Sequence, residues 1–356
     1  MTITPGRRAV ALSGCLLVMT LVASTAATAA AKPVTAAPRA ALGQPVTFGI
    51  QPSGPRKPDL RPDFSYSATK GAVARDYVAV SNYSGAPLTL RVYASDAFNN
   101  SDGGFDLLAA SKAPTDIGSW VRLGKTVITL PGQSRTILPF TLTIPANAEP
   151  GDHAGGIVAS LSTVRTDAKG NRIRVDLRVG ARIYLRVAGP LHPKIIVSRM
   201  TSAYHGTLNP FGAGSVTLTY TLRNVGNIRL GLRQAAQVYN FLGSAHAKGL
   251  RNLRELLPGN AWTVTTVLPG VAPGFLSSAN VTADLVSLPG NVDPALPSVA
   301  QTGSLWTVPW TLLAIVLILA AGGVAVILLR RRRKRSRGDT TPPPAVKKAA
   351  TRTALP

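Results

Sequence analysis

The chain has 356 residues, with 39 Lys or Arg against 15 Asp or Glu, a formal charge of +24. One Cys, four His and only two Glu (Glu149 and Glu255) exclude a disulfide framework, a cysteine-based zinc site and glutamate-pair catalysis. A hydrophobic share of 45%, with 33 Gly and 28 Pro, describes a folded chain full of turns, neither collagenous nor globally disordered.

In chain order, residues 1–31 read as a secretory signal. Arg7 and Arg8 precede the apolar run 9–22, and Ala27, Thr28, Ala29, Ala30 and Ala31 offer small-x-small cleavage points. Cys15 falls inside this segment, so the mature chain has no thiol chemistry. Residues 32–44 form an Ala/Pro-rich linker. Short β-branched runs punctuated by Gly, Pro, Asn and Asp then predict strands at 46–50, 77–80, 88–94, 136–144, 156–162 and 173–187. A second set is predicted at 195–204, 215–223, 236–241, 262–268 and 275–285. The spacing predicts an all-β exterior of two antiparallel β-sandwiches, 45–189 and 190–288, divided at Pro190 and Pro193. The soluble helix candidate is 250–257, where Leu250, Leu253, Leu256 and Leu257 have helical spacing ahead of Pro258 and Gly259; with Gly249 before it, the alternative is a loop. Residues 289–304 read as a linker.

Residues 305–329 predict one C-terminal transmembrane helix. The segment 312–329 is 18 residues without a charge, about 27 Å of helix. Trp306 and Trp310 stand where an interfacial aromatic belt belongs, and Leu329 is followed at once by Arg330, Arg331, Arg332, Arg333, Lys334 and Arg335. Such a cluster stays cytoplasmic, so the region before the span is predicted outside and the basic tail 330–356 inside. Val299, Ala300, Gln301, Thr302 and Gly303 faintly resemble a sortase sorting signal, but the long tail favours permanent anchoring. With the basic residues of the signal and tail removed, 27 basic residues meet 14 acidic ones outside, a net +13. A cationic exterior split from its tail by a bilayer argues against nucleic acid and for an anionic polymer at the cell surface.

From Arg172 to Val187 the odd positions are apolar, while Arg172, Arg174, Arg178, Arg182 and Arg186 share the even face with Asp176, Gly180 and Tyr184. Strict alternation predicts one face in the core and one in water, with no slip at Gly180. The arginine row reads either as a solvated face that blocks edge pairing or as a rail for anionic polymer. The loop 96–106 groups Asp96, Asp102, Phe105 and Asp106, and Trp120 follows. Its carboxylates suit turns, and its Phe and Trp serve either as a sugar platform or as a cap on the sandwich. Asp152 and His153, between Gly151 and Gly155, read either as a base-orienting pair or as a tight turn with glycines at positive φ. No Rossmann, P-loop, nucleophile-elbow or metalloprotease fingerprint occurs, so no enzyme, cofactor or metal is expected. The rival is a wall hydrolase using Asp96, Asp102, Asp106 or Asp152.

The segments Phe48-Gly49-Ile50-Gln51-Pro52, Asp76-Tyr77-Val78-Ala79-Val80-Ser81-Asn82-Tyr83, Asp102-Gly103-Gly104-Phe105, Gly118-Ser119-Trp120 and Pro150-Gly151-Asp152-His153-Ala154-Gly155-Gly156-Ile157 together resemble the peptidoglycan-binding domain of the WxL-interacting protein family. So does the run Leu88-Thr89-Leu90-Arg91-Val92-Tyr93-Ala94-Ser95-Asp96-Ala97. The order of that family, a second Ig-like domain, a membrane span and a basic tail, is found here too. The resemblance implies an Ig-like sandwich contacting peptidoglycan through Asp96, Asp102, Phe105, Asp106, Trp120, Asp152 and His153. It also implies a scaffold for WxL-domain proteins on a Gram-positive cell surface. A protein-binding anchor for a secreted partner is the alternative.

Overall fold

A computed structural model describes residues 46–166 and 170–338; the predicted signal, the linker 32–44 and most of the tail lie outside the described residues. The first sandwich contains β1 (Phe48–Ser53), β2 (Phe64–Ala68), β3 (Val73–Asn82), β4 (Leu88–Asn99), β5 (Phe105–Leu107), a single-turn helix α1 (Ile117–Trp120), β6 (Val121–Leu123), β7 (Val127–Leu130), β8 (Arg135–Thr143), β9 (Gly151–Thr166) and β10 (Arg172–Val187). One sheet runs β1-β3-β8-β6, and the other β2-β10-β9-β4-β5 with β7 also on β4. Phe64, Val78, Val80, Leu90, Ile117, Leu142, Ile157, Ile183 and Leu185 fill the space between them.

The second sandwich contains β11 (Ile195–His205), β12 (Gly214–Asn224), β13 (Leu230–Asn240), β14 (Gly243–His246), β15 (Leu253–Leu256), β16 (Ala261–Val271), β17 (Phe275–Val286) and β18 (Ser298–Thr307), and is followed by α2 (Trp310–Gly338). Its sheets are β11-β12-β16 and β14-β13-β17-β18, with β15 on β13. In β12 the alternation is complete: Val216, Leu218, Tyr220 and Leu222 are buried. Their neighbours Thr219 and Thr221 face outward and pair their hydroxyls with Thr265 and Thr263 of β16. The chain is therefore two Ig-like β-sandwiches and one C-terminal apolar helix, the predicted class.

Several expectations change. Residues 250–257 are not a helix: β15 pairs Leu253 with Leu232 and Leu256 with Leu230. Partners two apart on one strand face residues three apart on the other, so the helix-like leucine spacing is the extra residue of a β-bulge. The predicted linker 289–304 ends in strand from Ser298 onward. β18 pairs residue by residue with β17 from Asp284↔Ser298 to Phe275↔Thr307, and it holds Val299 to Gly303 in the ladder. Its Ala/Gly/Ser-rich sequence hides it, because an edge strand covered on one face needs few β-branched residues. The second sandwich therefore extends to Thr307, and α2 starts at Trp310 rather than 305 and runs past Leu329 into the basic cluster. The α2 segment is long and apolar enough to cross a membrane, and none of its apolar window is buried against the rest of the protein.

β9 and β10 form one continuous hairpin, from Arg172↔Thr166 to Val187↔Gly151, with no slip at Gly180. Alternation holds in register but not in burial. Ala181, Ile183, Leu185 and Val187 are core, whereas Ile173 and Val179 are exposed. The opposite sheet covers only the base of the hairpin. β2, unforeseen in the sequence, lies parallel to β10 from Ile183↔Phe64 to Val187↔Ala68, so among the described residues no strand pairs with the outer edge of 172–182.

Candidate functional site

The sequence-predicted residues separate into four environments. Asp96 is buried, and its carboxylate accepts the backbone N–H groups of Thr115 (2.6 Å), Asp116 (2.9 Å) and Gly118 (2.7 Å). It is the anchor of the loop entering α1 and does not face a ligand. Gly155 makes that closeness possible, because a Cβ there would lie 2.5 Å from the Ser95 carbonyl oxygen. Asp102 sits in the β4–β5 turn, where its carbonyl accepts from Arg251 and its N–H donates to Asn100 Oδ1. That turn lies against the second sandwich: Asn99 Nδ2 donates to the Glu255 carbonyl (2.8 Å), and Asn99 Oδ1 accepts from Leu257 N (2.9 Å). Gly103, at φ +75°, leaves no room for a side chain beside Leu253 and Trp262. The loop 96–106 is thus a hairpin joining the two sandwiches.

Asp152 is likewise not a partner for His153; consecutive residues of β9 point to opposite faces. The Asp152 carboxylate takes Arg186 Nε at 2.6 Å, Arg186 Nη2 at 2.8 Å and the backbone N–H of Arg229 at 2.8 Å. Arg186 also contacts Asp293 at 2.8 Å. Arg229 continues the network through Glu255 at 2.8 Å and places its guanidinium 3.7 Å from the centre of the Tyr184 ring. Tyr184 donates its hydroxyl to Glu255 Oε2 at 3.0 Å. Burial first, then the Glu255 charge, pushes the Tyr184 hydroxyl up to about 12. Arg186, read in the sequence as part of a solvated face or a polymer rail, is therefore committed to a joint between the sandwiches. The bond to Asp152, ahead of the Asp293 charge, holds its guanidinium protonated well beyond the usual range.

Trp120 and His153 do come together, in a cleft of about 660 Å³ that also has Asp116, Asn147, Glu149, Arg223, Asn227 and Pro258 in its walls. The two rings lie 4.7 Å apart, inclined by 54°. His153 Nδ1 meets Asp116 Oδ1 at 2.7 Å and Nε2 meets the Glu149 carbonyl at 2.9 Å. Both partners are acceptors, so the geometry favours donation from both ring nitrogens. Burial opposes the charge of such a ring, but Asp116, the Glu149 carbonyl and Asp152 outweigh it, and the net shift is upward. A ring with both nitrogens donating has no free base, so the geometry gives His153 a positioning role. Of Gly151, Gly155 and Gly156 only Gly151 takes positive φ, at +120°. Gly155 and Gly156 are in-strand residues whose missing side chains admit the Ser95 and Ala181 carbonyls.

Phe105, Asp106, Arg178 and Arg182 meet in a second groove of about 380 Å³ on the even face of β10. Arg182 lies over the Phe105 ring at 4.5 Å, and Arg178 Nη1 donates to the Leu107 carbonyl at 3.2 Å. Arg172 and Arg174 are exposed farther along the hairpin. Sequence reasoning missed Asp116, Arg229, Glu255 and Asp293, because their partners are 26 to 107 residues away in the chain, and Arg223, which only the fold brings to the cleft. One signal was present: Glu255 is one of two Glu in the whole chain, set among leucines.

These features define a two-sandwich β protein with a cleft between its sandwiches and a C-terminal helix able to span a membrane. No family model matches the sequence, and no curated protein matches it. Among solved structures, the chain is similar to the chaperone–tip adhesin complex of CFA/I fimbriae biogenesis at 11% identity, covering 72% of this chain and 98% of that one, with a TM-score of 0.36. It is similar to the class 5 fimbriae chaperone CfaA at 11% identity over 72% and 98% of the two chains, TM-score 0.35. A Salmonella enterica SafA pilin–SafB chaperone complex matches at 11% identity over 68% and 89%, TM-score 0.31. No residue role or partner is taken from likenesses of this size; the architecture rests on the strand pairings above.

Proposed function

We propose that the chain is a membrane-anchored protein of the cell surface that binds peptidoglycan or another anionic wall polymer in the cleft between its sandwiches, without catalysing its breakdown. In this reading α2 crosses the membrane and Arg330 to Arg335 lie on the cytoplasmic side. The supporting observation is the cleft itself. Trp120 offers an aromatic surface, braced from behind by a His153 that both Asp116 and Glu149 hold, while the exposed Arg223 on the other wall supplies positive charge for a carboxylate or phosphate. The resemblance to WxL-interacting proteins supports the same reading and adds WxL-domain proteins as cargo. The test is co-sedimentation of the full chain, in detergent, with purified sacculi. Trp120→Ala is expected to weaken binding about tenfold, what the loss of an aromatic contact of about 1.4 kcal/mol gives. Unchanged sedimentation of that variant would remove the cleft from the proposal, and muropeptide release by the wild-type chain would revive a hydrolase.

A second reading, a protein-binding anchor, is favoured by the bare outer edge of β10. Ile173 and Val179 are exposed there beside unused backbone groups, which is what an added strand requires. Ile173→Pro, placed on that edge, would abolish capture of such a partner and leave sacculus binding intact.

A further inference from the structure

We propose that the end of the second sandwich next to α2 is a membrane-seating surface, whose loops enter the headgroup layer of the same bilayer that α2 crosses. The inference rests on the reading that α2 is a membrane span. Four separate segments reach this end. Phe275 and Leu276 lie opposite Thr307 and Trp306 in the β17–β18 ladder. Gly214, the first residue of β12, lies opposite Val271, which brings the β11–β12 turn, 206–213, to the same place. Asn240 at the end of β13 donates to the Ala272 carbonyl at 2.8 Å and to Ser277 Oγ at 2.9 Å, so the turn at Phe241 and Leu242 is there too. A hollow lined by Tyr204, Leu208, Pro210, Pro273, Pro309 and Trp310 joins the β11–β12 turn to the first residue of the helix.

The side chains these segments present are apolar and open to solvent. Leu208 is 92% exposed, Phe211 83%, Phe241 77%, Trp306 70% and Trp310 73%, with Leu242 and Leu276 each at 54%. Scattered apolar residues on a surface need no explanation, but four loops converging with them do. Their chemistry is also selective. The segments 206–213, 241–245, 272–277 and 306–311 contain no Lys, Arg, Asp or Glu, in a chain of net charge +24. The opposite end of this sandwich carries Arg229, Glu255 and Asp293.

The connection to α2 decides the occupant. Only Val308 and Pro309 separate β18 from α2, and two residues reach about 7 Å at most. A helix that starts at Trp310 and carries no charge before Arg330 places Trp310 at the interface, so the loops beside it lie within the headgroup layer. Trp and Phe at that depth are what bilayer interfaces select. A protein partner or a second copy of the chain would have to displace lipid already held there by the tether.

Depth-resolved quenching tests this on the full chain. In a Cys15→Ser background, Phe211→Cys and Phe241→Cys carry a polarity-sensitive fluorophore, with Leu319→Cys as a mid-span control and Tyr83→Cys as a remote one. The protein is reconstituted in phosphatidylcholine–phosphatidylglycerol vesicles whose lipids carry nitroxides at the headgroup or in mid-chain. Expected are a blue shift and headgroup-nitroxide quenching at Phe211 and Phe241, mid-chain quenching at Leu319, and neither at Tyr83. If Leu319 is quenched while Phe211 and Phe241 behave like Tyr83, the seating surface is wrong and the span stands. If Leu319 is unquenched, both fall. A blue shift at Phe211 or Phe241 that appears in detergent and grows with protein concentration assigns the patch to self-association and overturns the proposal.

Discussion

Along β10 one alternation of apolar and basic residues meets two fates. In 181–187 the odd side chains are core, and on the even side Arg186 and Tyr184 are consumed by Asp152, Glu255 and Arg229. In 172–180 the register is the same, yet Ile173 and Val179 are in water, and Arg172 and Arg174 project beside an unpaired edge. The difference is what lies opposite. The base of the hairpin has a sheet on one face and a second sandwich on the other; the outer part, beyond the partly buried Leu177, has neither. Alternation tells which residues share a face. Whether an arginine is a strut or a contact for a ligand depends on what the rest of the chain brings up to it.

The largest effect is expected at the strut. Asp152→Ala is expected to destabilise the protein by about 3 kcal/mol, because it strands the Arg229 N–H and removes the main counter-charge of a buried guanidinium. Chemical denaturation of the detergent-solubilised chain, followed by tryptophan emission, measures it. Tyr184→Phe keeps the ring beneath Arg229 and deletes the bond to Glu255 together with the longer one accepted from Arg182. A loss of about 1.5 kcal/mol is expected in the same assay, the worth of a hydrogen bond to a charged group. A loss no larger than that of an exposed substitution would show that the joint is held by ring packing alone.

The fold class was legible because β-branched runs and turn residues recur at sandwich spacing, and the span because 18 uncharged residues precede an arginine block. β18 and β15 were not: the first is polar and small, and the second carries a bulge that mimics helical spacing. At the site, Trp120 and His153 were found and do meet, in a cleft that Asp152 also lines, but Asp152 gives its carboxylate to Arg186 and Arg229 and does not orient His153. Adjacency in sequence along a strand means opposite faces, and the true partner, Asp116, comes from a loop that Asp96 pins 20 residues away. Arg186 was read with its neighbours as a solvated face or a rail, since its acceptors, Asp152 and Asp293, lie 34 and 107 positions distant.

His153 lies on β9 opposite Leu185 of the buried half, and its effect is smaller and depends on pH. Its folded pKa is raised above the free value of 6.5, so its stabilising contribution is complete below that value and is lost as pH rises through the folded one. His153→Gln is expected to cost stability at about pH 5 and little at about pH 9. Equal cost at both would mean that the ring packs without charge.

The smallest effect on stability belongs to the outer half of the hairpin. Replacing Arg172 and Arg174 together by Ser should change the unfolding free energy by no more than about 0.5 kcal/mol, because both are exposed away from the joint. The informative readout is binding. If these residues attract polymer, the double variant loses affinity for anionic wall polymer at low salt, and the gap to wild type closes as ionic strength rises and screens exposed charge. If they only guard the edge against pairing, binding is unchanged and the variant aggregates, because the bare edge then carries Ile173 and Val179 without its neighbouring charges. The two outcomes exclude each other in sign, so a single salt titration with light scattering separates a ligand-binding rail from a protected edge.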